Sequence, residues 1–114
     1  FAFRYRDWVI AAFNADLPFD RFVREQIAGD ELPAADDADR TAKLTASGFL
    51  ALGVAGSKEE SVDEQMDVLT RAFWGQTIGC ARCHDHKFDP LYLDDYRGMQ
   101  GMFLSGGTTA KGKL

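Results

Sequence analysis

The sequence GCARCHDHKF, residues 79–88, contains both cysteines and both histidines of the 114-residue chain. They are Cys80, Cys83, His84 and His86, which fall within seven consecutive positions. Thiol and imidazole groups are the side chains that hold prosthetic groups and soft metals. We therefore expect this stretch to carry the function. A cofactor bound here would also stabilise the fold, because a short chain buries only a modest fraction of its surface.

The composition fits one small domain with a real core. Hydrophobic residues make up 46% of the chain, including nine Phe and two Trp. The net charge of −5 argues against a nucleic-acid-binding surface, which needs a basic face. No apolar run reaches the length of a membrane span. We expect residues 1–114 to form a single domain. Because the chain starts at Phe1 and ends in SGGTTAKGKL, we also expect it to be a fragment of a longer protein.

Helical spacing of apolar residues recurs along the chain, and no strand-like alternation persists. Pro18 suits the first turn of a helix and Gly29 its end. Ser57 is a plausible N-cap, and the acidic segment 29–39 reads as a solvated loop. The predicted class is therefore all-α, a small bundle of four to five helices. The predicted helices cover roughly residues 4–14, 18–28, 39–52, 59–78 and 93–104, and the fourth delivers the chain to Cys80.

The spacing C-x-x-C-H is the attachment signal for a c-type haem. Two thiols, at Cys80 and Cys83, add across the two vinyl groups of one porphyrin. With two residues between them, one helical turn presents both sulfurs to the same edge of the macrocycle. The adjacent His84 then lies under the ring, where its imidazole binds iron as the proximal ligand. The motif thus predicts one covalent haem c.

Three other interpretations of the motif stay open at this point. Cys80 and Cys83 can form a disulfide in an oxidising compartment. A thioredoxin-like redox pair needs a neighbouring βαβ pattern, which the sequence lacks. A zinc site from the two cysteines and His84 or His86 needs a fourth ligand, from an aspartate in the same stretch or from a partner chain.

The segments YRDWVIAAFNADLPFDRFVREQIAGDELP, GFLALG and GCARCHDHKFDPLYLDDYRGM resemble the planctomycete cytochrome C domain family. That family occurs in large exported proteins of Planctomycetes, often beside a second domain of unknown function. The resemblance covers nearly the whole chain, and CARCHDHKFDP is its most specific stretch. It implies a c-type haem on Cys80, Cys83 and His84. It also implies a periplasmic or otherwise exported location, since haem is attached outside the cytoplasm.

The sixth iron ligand is less strongly indicated. His86 lies two positions after His84 and cannot easily reach the opposite face of the ring, so we expect it to fix the turn HDHKFDP. Met102 is the first choice for the distal ligand, because the final helix can fold back over the ring, and Met99 is the second. A five-coordinate iron, or a distal ligand supplied by a partner, is the alternative. The remaining expected cofactor contacts are Arg82 and Lys87 with the haem propionates and Trp74 and Phe88 as pocket walls.

These residues favour an electron-transfer haem module, whose partner is a redox protein or a neighbouring domain of the parent protein. The alternative is a five-coordinate haem enzyme or a gas- or peroxide-binding sensor. A second alternative is a structural, zinc-stapled interaction domain. The sequence offers no spare histidine for acid–base chemistry on the distal side, so we predict no catalytic residue.

Overall fold

The structure is a computed structural model, and it describes residues 2–51 and 56–105. Within these ranges all regular structure is helical, which confirms the all-α class. The helices form two compact units, Phe1–Leu52 and Gly53–Leu114. That the whole chain acts as one domain stays a prediction. The elements are α1 (Ala2–Asn14), α2 (Phe19–Ala28), α3 (Asp37–Ala46), α4 (Gly48–Ala51), α5 (Lys58–Trp74), a 3₁₀ turn (Gly79–Arg82) and α6 (Leu93–Ser105).

No helix in the described part of the chain is both long and apolar enough to span a membrane.

The third predicted helix, 39–52, is wrong as one continuous element. It splits at Ser47, so that the described part of the chain holds six α-helices where four to five are expected. The Ser47 backbone N–H donates to the Lys43 carbonyl at 3.2 Å, and its hydroxyl donates to the Leu44 carbonyl at 2.8 Å. A serine that bonds the backbone of the preceding turn competes with the helical pattern. The predicted end of this helix, Leu52, lies outside the described residues.

The acidic segment 29–39 is only partly the expected solvated loop. The Asp36 carboxylate accepts from the Asp39 backbone N–H at 2.8 Å and caps α3. The ammonium of Lys43 lies 2.6 Å from the Asp39 carboxylate and 2.7 Å from the Pro33 carbonyl. The hydrogen bond from Lys43 lowers the pKa of Asp39. The end of the acidic segment is therefore the first turn of a helix, where acidic side chains are favourable.

Helix α5 starts where the sequence predicts and ends earlier. Ser57 and Glu60 form a capping box, with Ser57 N–H donating to Glu60 Oε2 at 2.8 Å and Glu60 N–H donating to Ser57 Oγ at 3.2 Å. The predicted extension to residue 78 is wrong. Gly75 adopts a left-handed conformation, with φ of 68°, and its N–H donates to the Thr70 carbonyl. This glycine stop places residues 75–78 between α5 and the turn that holds Cys80.

The first unit is built on aromatic stacking between α1 and α2. The Trp8 ring stacks on Tyr5 at 6.2 Å and on Phe22 at 5.3 Å. The Tyr5 hydroxyl donates to Gln26 Oε1, and the buried Gln26 in turn donates to the Phe22 carbonyl at 3.2 Å. Burial raises the pKa of Tyr5. These contacts join the two helices that the sequence places on either side of the break at Pro18.

Gly29 marks the closest approach of α2 to α3. Its φ of −58° is open to any residue, so its conformation does not demand glycine. A Cβ at this position would lie 2.1 Å from the Lys43 carbonyl oxygen, which is backbone and cannot rotate away. The absence of a side chain at Gly29 therefore permits this helix contact.

The second unit has a small apolar core shared by α5, the turn and α6. Met66 and Ala81 are fully buried in it, so one of the three methionines is a core residue. Met99 is partly buried and packs against the same cluster. The core consists of Val62, Met66, Ile78, Ala81, Leu91 and Tyr96.

We predict that Gly29→Ala lowers the free energy of unfolding by about 2 kcal/mol, as overpacking against fixed backbone does. The matched control is Gly98→Ala in α6, where an added Cβ meets nothing within 4 Å. The control should keep or raise stability by up to about 1 kcal/mol, because alanine favours helix over glycine. Urea unfolding followed by circular dichroism measures both. An unchanged midpoint for Gly29→Ala would contradict the close approach.

Candidate functional site

The 3₁₀ turn Gly79–Arg82 presents both cysteines at the surface. Cys80 and Cys83 are exposed free thiols, not joined in a disulfide. Between them, Ala81 is fully buried, and its N–H donates to the Ile78 carbonyl at 2.9 Å. The inward side chain of Ala81 therefore leaves the thiols on either side of it open to solvent. The turn gives the motif two accessible sulfurs on a packed base.

His84 is exposed and has a defined proton arrangement. Its Nδ1 lies 2.8 Å from the Asp85 carbonyl oxygen. A carbonyl oxygen can only accept, so Nδ1 is the donor in this bond and Nε2 is the ring nitrogen left for a ligand. Metal-binding histidines commonly donate their second ring N–H to a backbone carbonyl in this way, which fixes the tautomer. His84 thus fits an iron ligand that binds through Nε2.

The residue after His84 ties the motif to α6. The Asp85 carboxylate accepts from the Leu93 backbone N–H at 3.0 Å, at the first residue of the helix. The N–H of the preceding residue, Tyr92, donates to the Asp95 carboxylate at 2.9 Å. These two carboxylates satisfy N–H groups that no helical carbonyl can reach. The segment between the motif and α6 is therefore fixed at both ends.

His86 holds the turn after the motif, as the sequence predicts. Its Nδ1 accepts backbone N–H groups from Asp89 at 3.0 Å and from Phe88 at 3.3 Å. The backbone N–H of His86 donates to the Leu91 carbonyl at 2.8 Å. The His86 side chain is only 7% exposed. Because Nδ1 accepts these two N–H groups, its lone pair is already engaged. His86 is occupied with backbone and is not arranged as a second ligand.

Arg82 reaches back to α5 through Asp63. Arg82 Nη1 lies 2.8 Å from Asp63 Oδ2, and the Tyr96 hydroxyl donates to Asp63 Oδ1. Gln100 Nε2 donates to the same oxygen at 3.4 Å. Burial, together with the hydrogen bond to Asp63, raises the pKa of Tyr96 to about 12. The Tyr96 hydroxyl therefore stays protonated and donating at neutral pH.

Sequence reasoning missed the role of Asp63. A signal was present, because the residue four positions on, Asp67, is also acidic and the two repel along the helix. Asp63 therefore needs a cation from outside α5, while Asp67 has Arg71 at 2.8 Å on its own helix. Nothing local in the sequence shows that the cation is Arg82. That Arg82 contacts a haem propionate stays a prediction. The ion pair with Asp63 competes with a propionate for the N–H donors of Arg82.

The other expected cofactor contacts lie at the surface near the motif. Lys87 Nζ lies 5.1 Å from the centre of the Phe88 ring. Met102 is 66% exposed, on α6, whereas Met99 packs against the core. The large hydrophobic side chains that the second unit leaves exposed, within its described residues, are Trp74, Phe88, Tyr92 and Met102. Three of these four, all but Met102, lie within residues 74–92, on either side of the motif.

No group of three or more His, Cys, Asp or Glu side chains among residues 2–51 and 56–105 is gathered closely enough to hold a metal ion. A closed zinc site would need four such ligands around one point. The thiols and imidazoles are instead spread along a turn and the loop that follows it.

Comparison with protein families matches residues 1–107 to PSCyt2, described as a protein of unknown function (DUF1549). The chain belongs to the PSCyt2 family. The expected resemblance is therefore right in its planctomycete association. The cytochrome identity is not part of this match, because the description of PSCyt2 assigns no function. No curated protein and no solved structure is significantly similar to the chain.

We predict that His86→Ala destabilises the second unit by about 1–2 kcal/mol, because it leaves two backbone N–H groups without their acceptor. His86→Asn should stay close to wild type, since the Asn Oδ1 can replace Nδ1 as acceptor. Thermal unfolding of both variants measures this difference. Equal losses in the two variants would show that His86 acts through something other than these two bonds.

Proposed function

We propose that this PSCyt2 chain is a monohaem c-type cytochrome domain. Cys80 and Cys83 would form the two thioethers, and His84 Nε2 would bind the iron. In each thioether the sulfur bonds to one vinyl carbon and the thiol hydrogen goes to the other, so no oxidant or leaving group is needed. One observation carries this proposal. Two exposed thiols on one turn are followed at once by a histidine whose Nδ1–H is already bonded to a carbonyl.

The exposed aromatic residues near the motif support the same proposal. Trp74 is 58% exposed, Phe88 83% and Tyr92 57%. Contiguous exposed apolar patches commonly mark binding sites, and these three side chains flank the motif in the sequence. Covering apolar area is worth about 25 cal/mol per Å², so a flat macrocycle placed against them would be favourable.

The spread of the ligands favours haem over a zinc staple. A porphyrin supplies four nitrogen ligands itself and asks this chain for one imidazole and two thiols along its edge. Zinc asks the chain for a compact set of four side chains. The described residues offer the first arrangement, with Cys80 and Cys83 exposed on either side of the buried Ala81.

The role we propose is electron transfer outside the cytoplasm. Haem iron supplies one-electron redox chemistry once it is bound. The chain contributes the attachment turn and the proximal imidazole. His86 is held by backbone N–H groups, so no histidine of the chain is left over as a distal acid or base. This favours a carrier over a catalyst, and its partner would be a redox protein or a neighbouring domain.

An open-site haem enzyme or sensor is the second candidate. Met99 packs against the core, which leaves Met102 as the methionine with an exposed sulfur-bearing side chain in α6. If Met102 does not reach the iron, residues 2–51 and 56–105 offer no evident sixth ligand. An iron with an open position can bind a gas or a peroxide.

We predict that the full chain, exported in a host that attaches c-type haem, gains the mass of one haem that survives denaturation. Its alkaline pyridine spectrum should be that of a haem with both vinyl groups saturated. The double variant Cys80→Ser, Cys83→Ser should carry no covalent haem, whereas His86→Asn should carry as much as wild type. An unmodified wild-type mass with stoichiometric zinc would reject the haem proposal and favour the zinc-stapled domain.

We further predict that, if Met102 is the distal ligand, Met102→Ala converts the ferric haem from low spin to high spin and lets the haem, once reduced to the ferrous state with dithionite, bind carbon monoxide. Met99→Ala is the matched control. It should cost stability, because Met99 packs against the core, and leave the spectrum unchanged. A wild-type protein that is already high spin and binds carbon monoxide would contradict the carrier role and favour the open-site enzyme or sensor.

A further inference from the structure

Asp63 connects the three elements of the second unit through one carboxylate. It belongs to α5, its Oδ2 pairs with Arg82 of the 3₁₀ turn, and its Oδ1 accepts from Tyr96 and Gln100 of α6. The Asp63 side chain is 16% exposed and Tyr96 is 3% exposed. The Arg82 side chain is 56% exposed, so the ion pair by itself contributes little. The Asp63 carboxylate is held more firmly than an exposed one, because Tyr96 and Gln100 also donate hydrogen bonds to it.

The ion pair between Asp63 and Arg82 affects the motif because Arg82 is part of it. Arg82 lies between Cys80 and Cys83, next to the buried Ala81. The side chains of the turn therefore make different contacts. Ala81 packs into the core, Arg82 pairs with α5, and the two thiols remain exposed. Because Arg82 lies between the two cysteines, its ion pair with Asp63 restricts the positions of both sulfur atoms.

The turn needs such an anchor because it is intrinsically weak. It has four residues, and short 3₁₀ segments have poor hydrogen-bond geometry. The backbone bond from Ala81 N–H to the Ile78 carbonyl spans it. Burial of one methyl group at Ala81 adds a small apolar contribution. The Gly79 N–H also donates to the Thr77 hydroxyl, which donates to Asp67 of α5. The ion pair to Asp63 is the contact with α5 that a side chain of the turn itself makes.

We propose that Asp63 is the positioning residue of the haem attachment turn and that Arg82 is the group it holds. This rests on the proposed function. Arg82 then acts chiefly as an anchor to α5, and a contact with a haem propionate is not its main role. The raised pKa of Tyr96 supports this arrangement, because it keeps a neutral hydroxyl beside the Asp63 carboxylate over the working pH range.

The first experiment uses the full, reduced, haem-free chain and reads the amide exchange of Ala81. Asp63→Asn and Arg82→Gln should each speed this exchange about fivefold or more, as lost local anchoring does. The double variant should be no faster than either single variant, since the two residues act through one contact. Glu64→Gln is the matched control. Within the described residues Glu64 has no ion-pair partner, and its exchange effect should stay within about twofold.

The second experiment measures the fraction of exported protein that carries covalent haem. This fraction should fall about twofold or more in Asp63→Asn and in Arg82→Gln, without a further fall in the double variant. Arg82→Lys should recover part of the loss, because a lysine can still pair with Asp63. Glu64→Gln should match wild type, which separates anchoring from the loss of one negative charge on α5.

Two outcomes overturn this inference. Additive effects of Asp63→Asn and Arg82→Gln would show that the residues act separately, as a propionate-binding Arg82 would. Unchanged Ala81 exchange in Asp63→Asn would show that the turn does not depend on the pair. If wild type takes up no haem, the proposed function fails, but the exchange experiment still decides whether Asp63 anchors the turn.

Discussion

The burial of Ala81 is the constraint on which the site depends. Its methyl group lies in the core of the second unit, and this fixes which way the turn Gly79–Arg82 faces. With Ala81 inside, Cys80 and Cys83 have to point outward. The polar neighbour, Arg82, is then drawn to Asp63 on α5. A larger residue at position 81 would have to leave the core, and both thiols would turn with it.

The loop that follows extends this arrangement to His84, the proposed iron ligand. Asp85 accepts from the first N–H of α6 and His86 accepts two backbone N–H groups, so the two residues that follow His84 are both held. Its ring is oriented by the carbonyl of Asp85. A ligand held in this way loses little conformational freedom when it binds iron, which is how preorganised sites gain affinity. The motif therefore supplies the reactive groups, and the residues around it supply their orientation.

Much of this could be predicted from the sequence, and the failures have physical causes. The N-cap at Ser57 is a local feature, so the sequence alone predicts it. The end of α5 was missed because helical spacing continues past Gly75, although a glycine there is itself a stop signal. The break at Ser47 depends on a side-chain bond that periodicity does not register. The pairing of Asp63 with Arg82 joins residues far apart in the chain, and no local pattern encodes it.

The matched family has no assigned function, so the function of this chain has to be tested at the motif itself. Trypsin offers a direct test, because it cleaves after Arg71, Arg82 and Lys87 and so separates the two cysteines. The measurement is mass spectrometry of the digested, exported protein. We predict that peptides 72–82 and 83–87 are recovered joined through one haem, or as one uncut peptide that carries it. Recovery of the two peptides separately with unmodified cysteines, or joined by a disulfide without haem, would contradict the attachment of haem to this turn.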